Sequence, residues 1–144
     1  MVDEFLRCGV TDAVLAPGSR STPLAMALAA AEERGEITLH VRLDERSAGY
    51  LAVGIAKVTG VPPIVVTTSG TAAVNLHPAL VEADQSSLPL IAVTADRPPQ
   101  LRGVGANQTI RQAALYGGDV RLSVDMATAT DAPTGQVRYW RSTV

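Results

Sequence analysis

Very little in this 144-residue chain points to a membrane, a nucleic acid or a metal. Aromatic residues make up only 3% of it, there is one cysteine, Cys8, and the two histidines, His40 and His77, stand far apart. A lone cysteine makes no internal disulfide, and two separated histidines give no ligand cluster of zinc type, so no metal ligand is expected here. Cys8 is expected to be a small buried apolar residue. No uninterrupted apolar stretch approaches the roughly 18 residues of a membrane span. Basic residues number 12 against 14 acidic ones, a net charge of −2, so the basic excess that a phosphate backbone attracts is lacking. The opening "MVDEFLRCGV" mixes both signs of charge where a secretory leader would be basic and then apolar, which sets the expectation of a cytoplasmic protein. Two nucleotide signatures are missing as well. "APGSRS" lacks the spaced glycines of a dinucleotide fingerprint, and no GxxxxGK(S/T) loop occurs, which disfavours hydride transfer and NTPase chemistry.

What is present is an alternation of short apolar runs and helical periods, in a chain long enough to bury roughly two thirds of its unfolded surface as one domain. Strands are expected at 12–16, 37–43, 63–68, 89–95 and 120–126, mostly continuous apolar runs of the kind covered on both faces. Helices fall between them. One starts with Thr22 as N-cap and Pro23 in the first helical position, presents Leu24, Ala27, Leu28 and Ala31, and stops at Gly35. A second follows Asp44 with Ala48, Leu51, Ala52, Ile55 and Ala56 on one face. A third, from Gly70, presents Leu76, Ala79, Leu80 and Ala83, and Pro78 inside it predicts a kink or a restart. "VRYWRSTV" reads as the opening of one more helix. The pattern predicts an α/β fold: a three-layer, doubly wound parallel sheet with helices on both faces.

In such a sheet ligands bind beyond the carboxyl ends of the strands. The unusual residues of this chain lie there, in "PGSRST", "DERS", "SGT" and "DRPPQLRGVGANQT". Each of the first three has an ordinary structural reading. "PGSRST" suits a turn with a helix cap, or an anion site made by Ser19, Arg20 and the helix amino end. Asp44 suits an N-cap and Glu45 the positive end of a helix dipole. "TTSGT" before a helix suits a turn, and equally the hydroxyl-rich loop of a phosphosugar-binding or isomerase domain. The fourth segment, 14 aperiodic residues from Asp96 to Thr109 with two arginines and an Asn-Gln pair, is long for a parallel α/β connection, and such loops tend to be functional. Arg111 and the Gly117-Gly118 turn read as structural.

Together, "APGSRSTPL", "HVRLDERSAGYLAVGIAKVTG", "TTSGTAAVNLHPALVEA", "PLIAVTADRPPQLRGVGANQTI" and "YWRS" carry a specific likeness. In order and spacing they resemble the N-terminal pyrimidine-binding domain of the SEPHCHC synthase family, thiamine-diphosphate enzymes of menaquinone biosynthesis. The resemblance implies that Glu45 is catalytic, hydrogen-bonding N1′ of the aminopyrimidine, a task favoured by an apolar, partly desolvated setting. It implies that Pro17, Thr68, Ser69, Gly70, Thr71 and Asn75 line the pyrimidine pocket with Glu45. It also implies that Ser19, Arg20, Arg97, Asn107 and Gln108 face two acids, 2-oxoglutarate and isochorismate, whose carboxylates suit the planar fork of arginine. The family holds Mg²⁺ and the diphosphate with a Gly-Asp-Gly motif, whereas this chain has only "GGD" at 117–119. The resemblance therefore implies that residues 1–144 are a pyrimidine-binding domain cut short at its C-terminal end, without the central and diphosphate domains and inactive alone. The complete protein would be a homo-oligomer of at least two subunits with its site between them. The alternatives are the phosphosugar domain, another thiamine-diphosphate-dependent decarboxylase or synthase, and a non-catalytic module.

Overall fold

The computed structural model describes residues 1–128 and 133–144. Four short strands, β1 (Asp12–Leu15), β2 (Thr38–Val41), β3 (Ile64–Thr67) and β4 (Ile91–Thr94), pair in parallel in the order β2-β1-β3-β4. Among the described residues six α-helices accompany them: α1 (Val2–Arg7), α2 (Thr22–Glu33), α3 (Glu45–Thr59), α4 (Thr71–Asn75), α5 (His77–Gln85) and α6 (Pro133–Thr143). Side chains of a strand alternate between faces, and the two cores follow that alternation. Ala13, Leu15, Ile64 and Val66 pack with Phe5, Leu28 and Ala31 under α1 and α2. Val14, Ala16 and Val65 pack with Ala48, Ala52, Leu76 and Leu80 under α3, α4 and α5. Helices therefore cover both faces of a doubly wound sheet, as the sequence pattern predicts.

Local chemistry sets the helix ends. Asp44 caps α3 by accepting from the Ser47 N–H at 2.7 Å and the Ser47 hydroxyl at 2.6 Å, and Gly60 closes the helix at a left-handed φ of 70°. The chain restarts at Pro78: α4 ends at Asn75 and α5 begins at His77 with the proline in its first turn. The tail forms α6, tied to α1 by Arg141 and Glu4 at 3.3 Å.

Four expectations are corrected. The segment 120–126 forms no ladder among the described residues. Its apolar residues share one parity; Val120 packs on the α3–α5 side and Met126 is partly buried, but Leu122 and Val124 remain exposed. The β2 run stops at Val41, opposite Leu15, the last residue of its only neighbour β1, so Leu43 lies beyond the ladder and is 87% exposed. In α2 the N-cap is Ser21, after a short turn over Ser19–Ser21, and Ala27 faces solvent while Ala25 joins Leu24, Leu28 and Ala31 on the packed side. Cys8 is exposed: α1 buries Val2 and Phe5, and Cys8 is its C-cap, outside that stripe and ahead of a turn at Gly9.

Candidate active site

The strand registers bring four chain segments to one edge. Leu15 lies opposite Val41 and Val66, and Thr67 opposite Thr94, so all four carboxyl ends emerge level with one another. From β1 the chain moves to β2 on one side and then to β3 and β4 on the other. The reversal falls between β1 and β3, which places "PGSR" beside "TSGT" at the point where open α/β sheets bind ligands.

These two loops approach closely. A Cβ on Gly18 would lie 2.5 Å from the Cβ of Thr68, so only glycine leaves room; its φ of −166° is ordinary extended backbone, and the constraint is space. At Gly70 both constraints act: φ is +79°, and a Cβ would come within 3.0 Å of Gln108 Cγ and 3.1 Å of its carbonyl oxygen.

Gln108 links the two sides of the site. It adopts a left-handed φ of 53°, uncommon for a side chain of its size. Side-chain bonds hold it there. Its Nε2 donates to the Ser69 carbonyl at 3.0 Å, the Ser69 hydroxyl donates to its carbonyl at 2.8 Å, and its Oε1 accepts from Arg20 Nη1 at 3.0 Å. The Asn107 carbonyl accepts from Arg20 Nη2 at 2.9 Å, from Arg97 Nη2 at 3.3 Å and from Thr109 Oγ1 at 3.2 Å. Two guanidinium groups thus converge on one neutral oxygen, and neither has a carboxylate partner among the described residues. The Nε atoms of Arg20 and Arg97 and the hydroxyl of Thr68 are buried without a hydrogen-bond partner. Unpaired buried donors are costly, and two adjacent cationic ones favour an anionic oxygen ligand such as a carboxylate.

Arg102, the other arginine of this segment, has a structural role. It pairs with Asp96 at 3.0 Å, with both oxygens of Asp125 at 2.6 and 3.0 Å, and donates to the Arg97 carbonyl at 2.9 Å. Asp96 is therefore engaged by Arg102, and the Arg97 side chain has the Asn107 carbonyl but no carboxylate partner among the described residues.

Glu45 is the first residue of α3 and half-buried, and its side chain makes no hydrogen bond or ion pair among the described residues. Capping falls to Asp44, whose carboxyl the Ser47 hydroxyl and N–H hold below its ordinary value. The Glu45 carboxylate is left available to a ligand. Thr68, Ser69 and Gly70 are buried, whereas Pro17, Ser19 and Thr71 are exposed around them. Asn75 is set apart. It lines a shallow groove with Arg46, Val74, His77, Pro78, Val81 and Asp119 and makes no hydrogen bond to the cluster around Gln108.

Three further side chains, Gln112, Tyr116 and His77, hold the segment after β4 in place through contacts that sequence reasoning passed over. Gln112 accepts from the Gly70 N–H at 2.8 Å and donates to the Ala95 carbonyl at 2.9 Å. Tyr116 donates to the Ala73 carbonyl at 2.8 Å, and its burial pushes the phenol well above its ordinary value. His77 meets Asp119 at 2.7 Å and sets its ring edge-on to Tyr116 at 5.5 Å. The only trace of this in the sequence is the four-residue spacing of Gln108 and Gln112 inside a stretch without period.

A parallel sheet with glycine-tightened loops at its reversal point and a free carboxylate on the neighbouring strand end describes a cofactor-binding α/β domain. Residues 1–115 match the family described as thiamine pyrophosphate enzyme, N-terminal TPP binding domain, and the chain belongs to that family. The relatives narrow this further. The chain is 59% identical over all 144 residues to the 2-succinyl-5-enolpyruvyl-6-hydroxy-3-cyclohexene-1-carboxylate synthase of Saccharopolyspora erythraea, covering 26% of that protein. It is 56% identical to the synthase of the same name from Thermobifida fusca, again across the whole chain and 25% of the relative. Against the Mycobacterium avium synthase it is 54% identical over 133 residues, 92% of this chain and 24% of that one. The chain spans about a quarter of the length of these relatives.

Proposed function

We propose that this chain is the N-terminal, pyrimidine-binding part of a longer transferase of menaquinone biosynthesis. The complete enzyme would decarboxylate 2-oxoglutarate with thiamine diphosphate and transfer the remaining four-carbon unit to isochorismate. The observation that carries the reading is the gathering, on one sheet edge, of the Glu45 carboxylate and two guanidinium groups, Arg20 and Arg97, none of which has an oppositely charged partner among the described residues. Family membership and the printed names of the relatives support it, and they displace the phosphosugar alternative.

The residues fit the flat, polar-edged pyrimidine half of the cofactor. Thr68 offers a buried hydroxyl without a partner, Gly18 and Gly70 bring backbone close where a Cβ would intrude, and Glu45 offers the carboxylate. When bound, thiamine diphosphate supplies the carbon acid and electron sink that loss of CO₂ from a 2-oxo acid requires. Glu45 shares a proton with a ring nitrogen, while Ala48 and Gly49 after it are buried, Gly49 close against Ala79 of α5, and so seat the start of α3 on the core. Arg20 and Arg97, held by Asn107 and Gln108, take substrate carboxylates, with Ser19 beside them. Mg²⁺ and the diphosphate belong to a domain beyond this chain, and the site is completed across subunits of a cytoplasmic homo-oligomer. By itself the chain is inactive.

The test is Glu45→Gln in the full-length enzyme. The amide keeps the shape and loses the shared proton, so turnover falls about 10²–10⁴-fold while thiamine diphosphate binding, read by calorimetry, stays within a few-fold. Turnover within a few-fold of wild type would reduce Glu45 to a charge at a helix end.

A further inference from the structure

We propose that Gln112 is a positioning residue that fixes the orientation of the Ser69–Gly70 peptide, the backbone unit where the cofactor-side loop and the substrate-side segment meet. The inference rests on the functional reading above for what those two sides bind.

This single peptide is gripped at both ends by the segment that follows β4. Its carbonyl accepts from Gln108 Nε2 at 3.0 Å, and its N–H donates to Gln112 Oε1 at 2.8 Å. Gln112 is itself anchored, because its Nε2 donates at 2.9 Å to the carbonyl of Ala95, whose own N–H bonds the Thr67 carbonyl at 3.0 Å. One side-chain amide therefore ties the loop after β3 to the end of β4, with its acceptor and its donor both used. The chain of bonds continues on the other side through Gln108 Oε1 to Arg20.

The grip matters because of where it acts. Gly70 is buried at φ +79° and ψ −139°, in a region that glycine alone enters freely, and a peptide beside glycine rotates at little cost unless both its polar groups are held. Without Gln112 the Gly70 N–H is a buried donor with no partner, and rotation of the peptide is its route to one. That rotation carries the Ser69 carbonyl away from Gln108, which releases the amide that Arg20 leans on. A local change at residue 112 thus reaches the pyrimidine loop directly and the substrate arginine at second hand.

Two substitutions in the full-length enzyme separate positioning from bulk structure. Gln112→Glu keeps an acceptor for the Gly70 N–H and loses the donor to Ala95, whereas Gln112→Met keeps length alone. Three quantities are read for each: amide exchange across residues 68–71 in the cofactor-free protein, thiamine diphosphate affinity, and the KM of each acid beside kcat. The expected result for Gln112→Met is exchange at Gly70 faster by about tenfold, cofactor affinity weaker by about tenfold and a KM for one acid raised about threefold, with the other unchanged. Gln112→Glu recovers most of the exchange protection and of the affinity. The proposal is overturned if Gln112→Met behaves as wild type in exchange and affinity. It is equally overturned if both variants lose affinity alike in step with a fall in melting temperature, the mark of a merely structural residue. A wild-type enzyme that fails to bind thiamine diphosphate would sink the functional reading alone, since the hold on Gly70 is read without cofactor.

Discussion

Between β1 and β4 the chain is held by backbone ladders and by side chains such as Val14, Leu28 and Val65 that are 0% exposed. From Asp96 to Thr128 it contains only two short 3₁₀ turns, and amides, guanidinium groups and hydroxyls hold it. The first kind of support is non-directional and shared among many neighbours, so it fixes where the sheet edge lies but tolerates small errors. The second is directional, and each bond acts at one point. The candidate site needs both: a rigid edge for the cofactor loops, and an arm laid across it that aims two arginines.

The largest expected effect breaks the first kind of support. Leu28→Ala empties a fully buried position between α2 and the sheet, at a cost of about 2–5 kcal/mol in stability. The melting temperature of the full-length enzyme falls sharply, while kcat and both KM values at a temperature where the variant stays folded remain near wild type. A variant that melts normally but turns over poorly would mean that the two regions do not divide structure from function in this way.

An intermediate effect is expected at the arm. Arg20→Ala or Arg97→Ala removes a cation that has no ion-pair partner among the described residues, so folding changes little. The KM for one of the two acids rises by the equivalent of about 1.5–3 kcal/mol, the value of a charge-assisted hydrogen bond. Lysine at either position recovers only part of the loss, because a point charge does not reproduce the guanidinium fork. Steady-state kinetics with each acid varied separately, beside a thermal melt, checks this. A melt that drops while both KM values hold would remove these arginines from the site.

The same division explains what could be read in advance. The strands and α3 announce themselves because burial forces a period on the sequence, and the convergence of "PGSRST", "DERS", "SGT" and the Asp96–Thr109 segment follows from parallel register alone. Glu45 was legible as a candidate and Asp44 as the N-cap, and the bonds from Ser47 to Asp44 bear out the cap. The roles of Gln112 and Arg102 were not legible. Their partners are backbone carbonyls and N–H groups, or carboxylates such as Asp125, 23 residues away in the sequence, and such bonds leave no spacing behind. The strand expected at 120–126 failed for a related reason: an alternating apolar pattern records a strand only where a neighbour offers a ladder, and here the segment is tied down through Asp125 instead.

That tie gives the smallest expected effect and a test of how the arm is fastened. The hydrogen bonds from the Arg102 guanidinium hold the Asp125 carboxyl below its ordinary value, so folding favours the charged form. A depressed value in the folded state contributes stability that is complete above the unfolded value of 3.8 and is lost as pH falls through the lower folded one. Asp125 is half-exposed, so solvent screening keeps the contribution below about 1 kcal/mol. Comparing Asp125→Asn with wild type, the gap in melting temperature should be small and constant above about pH 5 and should close toward pH 2, where both proteins carry an uncharged group at this position. Arg102 keeps Asp96 and the Arg97 carbonyl in the variant, so the arm loosens at its far end only, and the KM values at neutral pH stay within about twofold. A gap that persists undiminished at pH 2 would show that the segment is fastened by packing around Val120 and not by the ion pair. A large rise in KM would show that the aim of Arg97 depends on the whole arm and not on Asp96, Asn107 and Arg102 alone.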